Sequence, residues 1–145
     1  SPEGIAVDGN GNIYVADWGN HRIVVFGSNG MYKKSIGRRG SNSVEDVGTP
    51  VSLMLPKRVA VAEDERGIEF DGKRYFRSPI LFVTDNNGVH MIDADGNYMD
   101  TLGLDSQDPE QLYDLSVSGY GDGMQVFIAN RITRETIGLG AGFEK

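Results

Sequence analysis

The strongest constraint on this chain is that it repeats itself. "PEGIAVDGNGNIYVAD" begins at Pro2, "PKRVAVAEDE" begins 54 residues later at Pro56, and "LYDLSVSGYGDGMQVFIAN" begins a further 56 residues on at Leu112. Self-similarity at such a period marks an architecture stacked from like units, each too small to bury its apolar face alone. Inside the first copy the pattern has period two. Ile5 and Val7 alternate with Ala6 and Asp8, Ile13 and Val15 with Tyr14 and Ala16, and Ile23 and Val25 with Val24 and Phe26. Successive strand residues point to opposite faces, so alternation with both sets partly apolar predicts sheets covered on both sides.

The second halves of the first two copies also match. "VVFGSNGMYKKSIG" (24–37) lies over "HMIDADGNYMDTLG" (90–103) at a constant offset of 66. Each crosses a hairpin signal, Asn29-Gly30 or Asp95-Gly96, where the αL conformations of a tight turn suit Asn, Asp and Gly. A full copy therefore reads as four short antiparallel strands, the make-up of a propeller blade. The predicted fold class is all-β, with about three β-propeller blades of four-stranded antiparallel sheets in one segment, 1–145. The boundaries expected are 2–55 for the first repeat and 56–111 for the second. The second carries an inserted hairpin at about 66–79, around Asp71-Gly72, and 112–145 is a shortened third repeat. Twenty glycines in 145 residues, about twice the usual share, agree with many turns.

Composition narrows the function. The formal net charge is -7, and residues 56–111 hold six basic against twelve acidic side chains. Such a balance disfavours nucleic acid, whose phosphates need clustered Lys and Arg. The absence of cysteine removes disulfides, thiolate nucleophiles and Cys-based zinc sites. No apolar run is long enough to span a bilayer and no signal-peptide pattern opens the chain. A start at Ser1 instead of Met points to a processed or excised piece. The compartment is not set by any of this.

At this point "PEGIAVDGNGNIYVADWGNHRIVVFGSNGMY" resembles an NHL repeat, with Asn20-His21-Arg22-Ile23 at the position of the family's Asn-His-Leu-type signature. The resemblance is closer in the first copy than in the second. It is faintest in the third, which lacks the signature's Asp and His. It implies a β-propeller, commonly six-bladed, used mostly as a binding platform. Three blades cannot close such a ring, and an open arc leaves apolar sheet faces bare at its ends. Two expectations follow: further blades from the same parent chain, or a second copy that completes the ring.

Candidate sites weigh against catalysis. "DGNGN" (8–12) and "DADGN" (93–97) resemble calcium loops, but the sixth positions are Ile13 and Tyr98 and no bidentate Glu follows. Both read as hairpin corners, where Asp and Asn bond local backbone. His21 and His90 are the only histidines. The amidating lyases that carry NHL repeats place a His ligand after the repeat's Pro, where this chain has Glu3 and Lys57. No serine lies in a nucleophile elbow. The expectation is no catalytic residue, no metal and no cofactor, with enzyme action kept as an alternative through groups outside this segment.

Lys33, Lys34, Arg38 and Arg39 form one basic run, which reads as a solvated edge rather than an RNA face. The insertion "FDGKRYFRSP" mixes aromatics with Arg, the residues that interface hot spots favour. The candidate contacts are Trp18, Arg22, Arg38, Arg39, Arg74, Tyr75 and Arg77, and the expected partner is a protein or peptide.

Overall fold

The computed structural model describes residues 1–39, 52–63, 68–70, 73–75, 79–85, 88–102, 112–118, 125–130 and 136–140. The first sheet runs in chain order through β1 (Pro2–Val7), β2 (Ile13–Asp17), β3 (Arg22–Phe26) and β4 (Tyr32–Ile36), every pair antiparallel. A single 3-10 turn, η1 (Trp18–Asn20), sits between β2 and β3. β5 (Arg38–Arg39) and β6 (Ser52–Leu53) then pair in parallel.

The second sheet is built from β7 (Arg58–Ala62), which leads, after the short hairpin β8 (Ile68–Phe70) and β9 (Lys73–Tyr75), into three further strands. These are β10 (Ile80–Asp85), β11 (Gly88–Asp93) and β12 (Tyr98–Leu102), giving the order β12-β11-β10-β7. A third sheet of β13 (Leu112–Ser118), β14 (Gln125–Asn130) and β15 (Thr136–Gly140) is antiparallel throughout. The described structure is all-β, as the alternation predicts.

The sheets stack face to face. Tyr14, Ala16, Ile23, Val25 and Ile36 of the first sheet pack with Val59, Leu81, Val83 and Ile92 of the second, and Leu53 plugs the same cluster from the connector. β10 and β11 are buried at all of their residues, because the first sheet covers one face and β13 packs on the other side. Near β7 the packing leaves no room for a side chain on β1. A Cβ on Gly4 would stand 2.7 Å from the Lys57 carbonyl oxygen.

The Asp-rich corners are local turns that serve the sheets. Asp8 Oδ1 accepts the amides of Asn10 and Asn12, each at 2.9 Å, while Oδ2 accepts from the Asn12 side chain and the Tyr14 hydroxyl, also at 2.9 Å. Asp93 repeats the scheme with Asp95 and Asn97, at 2.8 to 3.1 Å. Gly11 at φ 83 and Gly96 at φ 90 take the left-handed step both turns need. Burial would raise the Asp8 carboxyl, but the hydrogen bonds from Asn12, Tyr14 and Asn10 outweigh it and hold it below the usual carboxylate range. Burial and the same carboxylate push the Tyr14 phenol up.

Candidate interaction site

Two features meet on the first sheet's outer side: the η1 corner and an uncovered apolar face. At the corner, Asp17 closes β2 and gathers donors. Its Oδ2 accepts from Asn20 Nδ2 at 2.9 Å and Arg22 Nε at 3.1 Å, and its Oδ1 lies 3.3 Å from the Ser1 amine. Burial would lift this carboxyl, yet bonds from Asn20, Arg22 and the amine together hold it low. Arg22 also reaches Ser35 Oγ at 3.4 Å. With the polar groups tied to one another, Trp18 is left 37% exposed on a turn whose backbone is pinned by Trp18 N to Ser1 O at 2.9 Å.

The face beside this corner carries Ile5, Val15, Val24, Phe26 and Tyr32, which line a groove of about 780 Å³ that ends at Asp17 and Arg22. Phe26 and Tyr32 meet edge to face, centroids 6.5 Å apart. Ile5 is 68% exposed and Val7 59%. The second sheet presents the same positions in the same register: Val7 pairs with Ile13 as Val61 does with Leu81, and Ile5 with Val15 as Val59 does with Val83. There the face is sealed, with Val59 5% exposed and Leu81, Val83 and Ile92 at 0%. Asp85 stands where Asp17 stands. It takes the Met54 amide at 3.0 Å and lies 2.8 Å from His90 Nε2.

Two comparisons bear on this arrangement. Residues 1–26, from β1 through β3, match the NHL repeat. This chain belongs to the NHL-repeat family. Over 97 residues it is 30% identical to the protein brain tumor of Drosophila melanogaster, a match covering 67% of this chain and 7% of that protein. The NHL chain thus spans a small part of the relative it matches. The segment Asn20–Ile23 runs from the last residue of η1 into β3, and the four-stranded sheets are blades of the propeller type.

Of the residues singled out in the sequence, Trp18 opens η1 and Arg22 opens the strand that follows it. Arg38 and Arg39 lie on β5, and Arg74 and Tyr75 on β9, while Arg77 is outside the described residues. Within the basic run, Lys33 donates to Asn12 Oδ1 at 3.1 Å, whereas Lys34 lies 3.9 Å from Asp95 in the turn between β11 and β12. The bare face was expected in general from the open arc. Its residues become visible only once the strand registers of the two copies are superposed. The Asp85–His90 contact has no local signal in the sequence, because the second copy's turn "DNNG" holds no His and the imidazole arrives from within β11.

Proposed function

We propose that the chain is a non-catalytic interaction platform of NHL-type propeller blades, taking a protein or peptide at the η1 corner. The observation that carries this is the Trp18 side chain, exposed on a corner whose neighbouring polar groups are already bonded to one another. An exposed Trp on a corner that also carries an Arg is the kind of anchor on which binding energy concentrates. Arg38, Arg39, Arg74, Tyr75 and Arg77 belong to the same reading as outlying contacts. Both histidines have structural engagements, His21 with the Leu55 amide and His90 with Asp85, which speaks for a platform over lyase-like chemistry.

The test is to immobilise the chain and compare protein binding by wild type and the Trp18→Ala, Arg22→Ala double variant. Affinity at least tenfold weaker in a variant that still unfolds cooperatively, with its melting temperature lowered only by the loss of the Asp17–Arg22 bond, supports the reading. Equal affinity removes the two residues. Because Trp18 is the single tryptophan, its fluorescence reports directly on any partner bound there.

A second reading, assembly, is favoured by the uncovered face of the first sheet. In it, further blades or a second copy cover Ile5, Val7 and Phe26 as the first sheet covers Val59, Val61 and Ile92. Light scattering across concentration tests ring completion by a second copy; a monomer throughout removes it.

A further inference from the structure

The connector that carries the chain from the first sheet to the second is held at two neighbouring amides by side chains from different sheets. Leu55 N donates to Nδ1 of His21, at the η1 corner, across 3.1 Å. Met54 N, one residue earlier, donates to Oδ2 of Asp85 at the end of β10, across 3.0 Å. Just before them Leu53 is fully buried in the core between the sheets. His21 and Leu55 both sit at φ 54, a left-handed conformation uncommon outside glycine and least suited to a residue such as Leu. We propose that His21 is a pH-sensitive latch on this connector.

The two holds differ in chemistry. A carboxylate accepts hydrogen bonds throughout the neutral range, whereas an imidazole nitrogen accepts only while it carries no proton. For Nδ1 to take the Leu55 amide, the proton of neutral His21 must reside on Nε2. A second proton puts N–H on both ring nitrogens, and Nδ1 then faces Leu55 donor to donor. The half-buried amide then loses its acceptor and is left to water or to no partner, so this end of the connector is held less firmly. Imidazole is the side chain whose charge changes between about pH 5 and 8. The latch is therefore closed in the neutral form and opens on the acid side, while Met54 stays on Asp85.

Other charged groups share the junction. Among the described residues they include Arg38 and Arg39 of β5, the strand paired with β6 just before Met54, and Glu3, Asp17 and Arg22 of the first sheet with the Ser1 amine ahead of it, Lys57 and Arg58 on the connector and β7, and Asp85 and His90 on the second sheet. Asp17 is bonded to Asn20, Arg22 and the amine, and Arg58 donates to the carbonyls of Glu3 and Lys57. His90 carries the competing imidazole, because it lies against Asp85, which holds Met54.

Amide hydrogen exchange by NMR on the 145-residue chain between about pH 8 and 5 separates the two. After correction for the intrinsic pH dependence of exchange, protection of Leu55 should fall about tenfold in step with titration of the His21 ring. Met54 should keep its protection. In His21→Asn, which tolerates the left-handed backbone and does not titrate, the Leu55 response should vanish. Leu55 protection that stays constant through the His21 titration overturns the proposal, and the wild-type protein alone decides this if the variant does not fold. A response that survives His21→Asn and disappears in His90→Gln also overturns it, by placing the switch on the other imidazole.

Discussion

The first and second sheets follow one plan in different surroundings. Both carry four antiparallel strands, an Asp at the end of the second, and aliphatic residues in matching register on the same face. In the second sheet that face is closed by the first sheet; in the first it opens on the groove lined by Ile5, Val24 and Phe26. The same pattern is thus core in one place and surface in the other. The burial of a residue here is set by what stacks on its sheet, not by its own sequence.

The largest expected effect follows directly. Leu81→Ala, at 0% exposure, should lower unfolding free energy by about 2–5 kcal/mol in urea denaturation. Ile5→Ala, on the open face, should stay within about 0.5 kcal/mol of wild type. A large loss from Ile5→Ala would break the comparison, because it would mean that the face is covered in solution.

Next come the corners. Asp85→Ala removes the acceptor of the Met54 amide and the partner of a buried imidazole, so it should cost roughly 2–4 kcal/mol in the same assay. Asp17→Ala removes bonds from Asn20, Arg22 and the Ser1 amine, groups that water can reach and solvate instead. It should cost about 1 kcal/mol. Equal losses at the two positions would show that the η1 corner is as dry as its counterpart.

These contrasts also mark what was legible in the chain. The strands and their hairpins were, because Ile13-Tyr14-Val15-Ala16 and Asn29-Gly30 declare period and turn locally. So was the architectural role of Asp8 and Asp93, whose bonds reach only a few residues along the chain. Contacts that depend on how sheets stack were not. His21 meets an amide 34 residues away, and no local pattern connects it with Leu55. Trp18 and Arg22 stand out in the sequence by residue type alone. The neutralisation of Arg22 by Asp17 depends on the fold of the η1 turn, which brings residues five apart to 3.1 Å.

The smallest effect is the acid side of the stability curve, and it sharpens the contrast within the first sheet. Asp8 and Asp17 both have carboxyls held below the ordinary range in the fold, by hydrogen bonds that outweigh burial. Each therefore binds a proton less readily folded than unfolded. Their contribution is complete above the unfolded carboxylate value, about 4, and drains away as pH falls through the lower folded value. The urea midpoint should decline from about pH 5 to 3. Asp8→Asn should start lower at pH 5 and decline less steeply, because one of the two proton-linked groups is gone. The remaining slope should then belong largely to Asp17, and Asp17→Asn in the same background should flatten it further. A slope unchanged by either substitution would assign the acid sensitivity to other carboxylates and leave the two corners as hydrogen-bonded turns without a pH signature.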